Sequence, residues 1–553
     1  MMSDGRRDGT DGAAPLYRAS ESAKQAGRIP FGNADVYPSA MKSSPNWRSW
    51  LLWLALFALN GLGIVPWLRV RFPIVDLAET VFQAERIAHG YVPYVDSFTH
   101  HFIGYAVPFA LLSLVVDLTP TVLKALCLLT NFFTALFVYL TVLRLATPVE
   151  ARLAAFLTVT IGWFWGWQGF AFNVQSYLTP LIALTFLTLV CACQERKTKW
   201  LAAAGLVIGA LIASDQRAIV FSVLLAVPFV AVASFRRPPS LALCMGSTLL
   251  LPAILVVWLW RLGALPDFID QTVIFPLMHR NAGIEQAGAS TSLVLMAIFL
   301  THELLATMLL ALALPVMMMV ERRGFVLGLL TGGLVAAAAY ALAGGRAFPN
   351  YLLVFGPITV TVIALFPYYV GTFTAPVGRL ATGVLVVLGL LMAGRPILTY
   401  ATSHSFFLPI SERALVEAAA YVRSHTKDTD RVLVWGFAPQ VYVLSNRYSG
   451  FRDGALLSLG SRGPGPSSGP RLPHMVEEFG EYLRQTPPHL VAHYVLKRPP
   501  VGPCDGKGLI DEPVDFRATP HLTFFREHLA THYRLMRTFD DYCDRVDIFE
   551  RVP

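Results

Sequence analysis

Between Trp50 and Ile397 the sequence repeats one pattern many times: about 20 apolar residues, then a short charged or Pro/Gly-rich interruption. A bilayer core of roughly 30 Å takes about 20 helical residues, so runs of this length in series dictate a polytopic α-helical membrane protein. A soluble enzyme with one anchor is excluded. Composition agrees, with 55% hydrophobic and 14% charged residues and a mean hydropathy of +0.53, far too apolar for an ordinary soluble domain. An outer-membrane barrel is excluded as well, because its strands alternate in polarity over about ten residues. The formal charge of +8 sits mostly at the ends of apolar runs, so it reflects topology, and no nucleic-acid partner is expected.

Residues 1–47 are rich in Gly, Ser, Ala and Pro and hold no apolar stretch able to act as a cleavable signal. They read as a disordered cytoplasmic tail, followed by the run Leu51 to Leu68 as an uncleaved anchor. Clustered charge at Arg144 with Arg152, Glu195 to Lys199, Arg236-Arg237, Glu321-Arg322-Arg323 and Arg379 falls on the cytoplasmic side along one path of about 11 helices. That path requires Phe102 to Leu118 not to cross. The segment is about 15 residues, carries Pro108 and ends at Asp117, which suits a re-entrant or interfacial helix. Residues 48–397 are then the membrane domain and 398–553 an extracytoplasmic domain.

In that last part Glu412 to His425 has helical spacing and Arg431 to Trp435 reads as a buried strand. A helix near Met475 to Arg484 and a strand over Leu490 to Leu496 follow, so a small α/β domain is expected. Cys127, Cys191, Cys193 and Cys244 lie in apolar helices and read as core residues. Cys504 and Cys543 lie outside, where an oxidising compartment would let them pair. No CxxC pair or HExxH motif occurs; no cofactor is expected, and a divalent metal requirement stays open.

The first outer loop carries Asp76-Leu-Ala-Glu79, then an amphipathic stretch ending His89-Gly90-Tyr91-Val92-Pro93-Tyr94-Val95-Asp96, then Thr99-His100-His101 and Tyr105. Further along are Gly205-Leu-Val-Ile-Gly209 leading to Ser214-Asp215-Gln216-Arg217, and Gly345-Arg346-Ala-Phe348-Pro349-Asn350-Tyr351. The outer domain adds Trp435-Gly436-Phe437-Ala438-Pro439-Gln440 through Tyr442 to Arg447. In this order the segments resemble the polytopic C-type (GT-C) glycosyltransferases, the superfamily that holds protein O-mannosyltransferases and the bacterial transferase that puts aminoarabinose on lipid A. The resemblance covers most of residues 50 to 500. It implies the GT-C fold, a location in the bacterial inner membrane, and Asp76 as the catalytic carboxylate. It also implies a polyprenyl-phosphate sugar donor and an envelope glycan, lipid or protein acceptor. The chain departs from the pattern at Asp215 and Arg217, where a Lys is more usual, at Asn350, where a His is usual, and at Gln175, where many relatives carry Glu.

The chemistry follows from the donor. A sugar on a polyprenyl phosphate leaves behind an already stable phosphate anion, so no general acid is needed, unlike glycoside hydrolysis with its two carboxylates. One base suffices, and a carboxylate at a membrane–water boundary suits the task, which fits Asp76, with Glu79 one helical turn on able to assist. A solvated acidic helix face is the other reading of both. The departing phosphate calls for fixed positive charge, and the planar fork of arginine matches it. Arg217, Arg280 and Arg346 are the candidates. The apolar stretch from Leu201 to Ser234 would span roughly 51 Å as one helix, so it must turn near Asp215-Gln216-Arg217, and an ionisable pair there reads as functional. A structural Asp215–Arg217 ion pair is the alternative. His100 and His101 read as contacts to acceptor or phosphate, or as interfacial anchors. The aromatic cluster Trp163, Trp165, Trp167, Phe170 and Phe172 reads as an interfacial belt.

The sequence therefore predicts an inverting membrane glycosyltransferase. Its rivals are a flippase or transporter of lipid-linked saccharide, which commonly shows an internal repeat not found here, and an inactive relative acting as a scaffold.

Overall fold

A computed structural model describes residues 47–64, 75–161, 173–277, 304–343, 349–402, 412–436, 438–452, 472–496, 522–541 and 544–553. The chain divides into two units, Met1–Ala55 and Leu56–Pro553. Of the first, the described part is the start of α1, Trp47–Ile64. The candidate pair Cys504 and Cys543, the cluster Trp163 to Phe172, Arg280 and Arg346 all lie outside the described residues.

In the second unit α2 (Val75–Ala88) is the amphipathic helix of the first loop. A 3-10 turn, Ile103–Tyr105, leads into α3 (Ala106–Ser113). Together they span 11 residues, about 16 Å of helix, too short to cross a bilayer. The helices α4 (Pro120–Leu145), α5 (Pro148–Ile161), α6 (Val174–Glu195) and α7 (Thr198–Ser214) follow. Helix α4 starts where Thr119 caps the Val122 N–H and Pro120 takes the first turn, a position that needs no amide hydrogen.

The expected helix over 218–235 has another form. A 3-10 segment, Gln216–Leu225, runs into a short α8 (Ala226–Ala231), and Val232 leaves it extended with φ −122° and ψ 102°. Then come α9 (Pro238–Arg261), α10 (Leu265–Ile269) with a π-helical turn Asp270–Ile274, α11 (Leu304–Val320), α12 (Gly324–Ala343), α13 (Gly356–Gly371) and α14 (Ala375–Thr402). Among the described residues, 6 helices are long and apolar enough to cross a membrane. A polar contact ties α4 to the shorter α1: the Asn131 amide donates to the Asn60 Oδ1 at 2.7 Å. Cys127, Cys191, Cys193 and Cys244 are buried in the helical core.

Helix α7 meets α9 at close quarters. A Cβ at Gly205 would stand 2.2 Å from the Ser247 hydroxyl, and one at Gly209 would stand 2.4 Å from the Thr248 carbonyl oxygen. These glycines thus set the helix separation, as small residues do in membrane interfaces. Gly205 and Gly209, part of the motif that resembles the family, serve packing.

The C-terminal part is the expected α/β layer, with two further strands. α15 (Arg413–His425), β1 (Val432–Trp435), α16 (Gln440–Ser445), α17 (Leu472–Gln485), β2 (Leu490–Leu496), α18 (Thr523–His532), β3 (Tyr533–Asp540) and β4 (Asp544–Arg551) form it. The sheet order is β1-β2-β4-β3, with β1 parallel to β2 and the rest antiparallel. All four residues of β1 are buried because both sheet faces are covered. Val432 and Val434 pack on Ala414, Leu415 and Ala418 of α15, while Leu433 and Trp435 pack on Phe479 of α17 and Phe525 of α18.

Gly209→Ala is expected to lower the melting temperature in detergent. Gly246→Ala, on α9 with nothing within 4 Å of the new Cβ, is expected to leave it unchanged or raise it by helix propensity, worth up to about 1 kcal/mol. Differential scanning fluorimetry of the pair checks this.

Candidate active site

Helix α7 ends at Ser214, and Asp215 adopts an extended conformation, φ −151° and ψ 123°, so that its side chain caps the 3-10 segment by accepting from the Arg217 amide at 2.9 Å. The same carboxylate then grips the Arg217 side chain. Nε donates to Oδ1 at 3.0 Å and Nη2 to Oδ2 at 2.6 Å, a fork-to-fork pair. Asp215 is fully buried, and the Arg217 side chain is 10% exposed. Burial alone would push the Asp215 carboxyl up; Arg217, by charge and by hydrogen bonds, brings it down to about 2.

Two distant elements complete the pair. Tyr340 on α12 donates its hydroxyl to Asp215 Oδ2 at 2.8 Å and takes a hydrogen bond from Arg217 Nη2 at 3.2 Å. Gln175, near the start of α6, donates to the same hydroxyl at 3.1 Å. The guanidinium lies 4.7 Å from the Tyr340 ring centroid and 4.1 Å from that of Tyr351, held by cation–π attraction to two rings set edge to face at an interplanar angle of 82°. Nη1 has no hydrogen-bond partner among the described residues. One edge of a rigidly held guanidinium therefore remains able to bind an anion.

His101 faces this network. Its Nδ1 stands 3.9 Å from Asp215 Oδ2 and has no hydrogen-bond partner among the described residues. Burial lowers the imidazole to about 4, against Asp215, which raises it, and with Arg217, which lowers it further, so the ring is neutral near pH 7. The loop that carries it is tightly held. Tyr94, buried with φ 67°, accepts from the Ile103 amide and donates to the His101 carbonyl, each at 2.9 Å. Gln216 donates to the His100 carbonyl at 2.8 Å, and Gln271 of the π-helical turn takes the Thr99 amide at 3.0 Å. A Cβ at Gly104 would meet the Ala213 carbonyl oxygen at 2.3 Å, so only glycine lets this loop approach α7 closely enough to bring His101 to Asp215.

Asp76 is the second residue of α2, and its side chain lies outside the described residues. Glu79 lies one turn further on, half-buried. The structure thus brings together Asp215, Arg217 and His101, with the His100 ring tilted against His101 at 4.0 Å between ring centroids. Sequence reasoning missed Tyr340 and Gln271 as members, and quoted Gln216 and Tyr351 within motifs without giving them a role. The available signal was a tyrosine closing the run Ala336 to Ala339 within an apolar helix. Among the described residues no three His, Cys, Asp or Glu side chains group closely enough to hold a metal ion.

No protein-family model and no curated protein matches the chain. Among solved structures it is similar to ArnT from Cupriavidus metallidurans in the apo state, with a TM-score of 0.56 and 10% identity over 90% of this chain and 97% of that one. The same protein bound to undecaprenyl phosphate superposes with a TM-score of 0.53 and 10% identity, over 91% of this chain and 98% of that one. The chain has the GT-C fold. Within this GT-C fold the C-terminal sheet unit leans on α2: Phe82 stacks on Tyr442 at 5.1 Å, and Arg86 donates to the Ser449 carbonyl at 3.4 Å.

Glu85 on α2 gives a pH handle outside the spanning helices. Burial, with a smaller contribution from Asp117 and opposition from His89, raises its carboxyl to about 7. A carboxyl whose folded pKa exceeds its unfolded value, 4.5, stabilises the fold while protonated, and that stability is lost as pH rises through about 7. Glu85→Gln is expected to melt above the native protein at pH 8, with the gap closing toward pH 4.5, as thermal melts across pH will show.

Proposed function

We propose that the chain is an integral membrane glycosyltransferase that moves a sugar from a polyprenyl-phosphate donor to a hydroxyl of an extracytoplasmic cell-envelope acceptor, with inversion. The observation that carries this reading is the buried Arg217 guanidinium, clamped by Asp215, flanked by the rings of Tyr340 and Tyr351 and left with no Nη1 partner among the described residues. Such a group is built to meet a phosphate. The similar ArnT structure with undecaprenyl phosphate supports a lipid phosphate as its ligand.

The reaction is a single displacement. The acceptor oxygen attacks the anomeric carbon, its proton passes to a carboxylate, and the bond from that carbon to the phosphate oxygen breaks with its electron pair going to phosphate. Asp76 is the proposed base and Glu79 its neighbour; Arg217, with Arg346 and Arg280, is proposed to stabilise the leaving phosphate, and His100 and His101 to line the site. The N-terminal tail is placed in the cytoplasm and residues 398–553 on the outer face of a bacterial inner membrane, beside the acceptor.

Purified protein in nanodiscs, offered a panel of labelled polyprenyl-phosphate sugars and envelope acceptors, is expected to transfer label. Asp76→Asn is expected to cut the rate by about 10²-fold or more, and Arg217→Gln by about 10²–10³-fold. Full activity in Asp76→Asn removes it as base, and lipid-linked sugar crossing the bilayer without transfer makes the protein a flippase.

A further inference from the structure

The charge arithmetic of the Arg217 site does not close on the residues already paired there. Asp215 and Arg217 cancel, and both are buried. A sugar-linked polyprenyl phosphate is a diester with one negative charge. The product left after transfer is a monoester, which carries about −1.5 to −2 near neutral pH. The site therefore meets one more negative charge after the reaction than before it, in a low-dielectric place where an uncompensated charge is costly.

One described group is positioned to offset it. The His101 Nδ1 is buried and has no hydrogen-bond partner among the described residues, yet it stands 3.9 Å from Asp215 Oδ2. Among the described residues the titratable and charged groups around it are Asp215 and Arg217 across the gap, Tyr94, whose hydroxyl donates to the His101 carbonyl at 2.9 Å, and His100 and Tyr105 on its own segment, with ring centroids 4.0 and 6.1 Å away. With Asp215 tied to Arg217 and Tyr340, these side chains give the imidazole no net negative neighbour. A bound dianion would provide one.

We propose that His101 takes up a proton when a polyprenyl phosphate monoester occupies the Arg217 site and stays neutral when the site holds the diester donor. The imidazolium then adds the positive charge that the Asp215–Arg217 pair lacks. It also makes the site tell product from donor by pH: high pH weakens product binding and favours release. This inference rests on the reading of Arg217 as a phosphate site.

The test is calorimetric titration of the full chain in nanodiscs with undecaprenyl phosphate, in two buffers of unequal ionisation enthalpy at pH 7.5. The expected result is uptake approaching one proton per lipid, about none for the methyl diester of the same lipid, and monoester affinity falling with rising pH by up to about tenfold per unit. His101→Gln, or His101→Asn should the first fold poorly, is expected to abolish the uptake while the lipid still binds. Uptake that persists without His101 places the proton on the phosphate itself and overturns the inference, as does its absence from the native protein. Arg217→Gln separates the two readings. If it leaves undecaprenyl phosphate affinity unchanged, the phosphate site itself is wrong; if affinity falls while His101 has no effect on proton uptake, only the proton linkage is.

Discussion

A carboxylate and a guanidinium buried together at a break between two apolar segments are the interaction on which the rest of this structure depends. Taking two charges out of water carries a large desolvation cost, recovered only when geometry is good and the remaining hydrogen-bonding groups are satisfied. Here three elements supply those conditions. The break after Ser214 lets Asp215 cap the next segment and hold Arg217 in a fork. Helix α12 brings Tyr340, helix α6 brings Gln175, and the Tyr351 ring flanks the guanidinium at 4.1 Å. The arginine is thereby pre-oriented, with little rearrangement left for a ligand to induce.

A second set of constraints brings the first outer loop to the same place. Gly104 allows contact with the Ala213 carbonyl, Gln216 and Gln271 hold the backbone of Thr99 and His100, and Tyr94 ties Ile103 to His101. The sheet unit extends this arrangement: Arg452 pairs with Asp267 at 3.3 Å and Glu478 at 2.7 Å, while its carbonyl accepts the Phe98 amide at 2.9 Å. The loop that presents His101 is therefore braced from the membrane helices and from the C-terminal unit alike.

What could be read from the sequence divides along physical lines. A 34-residue apolar stretch cannot be one membrane helix, so the break at Asp215 was visible, as were β1 and β2, whose apolar runs are buried on both faces. Strand β3 was not: Arg534, Arg537 and Asp540 on an exposed edge leave no alternation to detect. Tyr340 and Tyr351 reach Arg217 through tertiary packing, which one sequence does not encode in its spacing. In the string from Trp435 to Arg447 several residues answer to backbone geometry at the ends of β1 and α16. Gly436 sits at φ +97°, where a Cβ would meet the Tyr494 carbonyl oxygen at 2.6 Å, and Asn446 caps α16 at φ 52°. Arg447 spends its donors on Thr426, Arg423, Asn446 and Asp428. Motifs that look functional in series can thus owe their residues to backbone geometry.

The most direct measurement is a double-mutant cycle on Asp215→Asn and Arg217→Gln, read by thermal stability and by lipid-linked sugar transfer in the same nanodisc preparation. Each single variant strands one buried charge, which costs about 3–5 kcal/mol in other proteins, whereas the double variant strands none. The account predicts that the double variant is more stable than either single one and yet does not transfer sugar. Additive losses in stability, or transfer retained by the double variant, would contradict it.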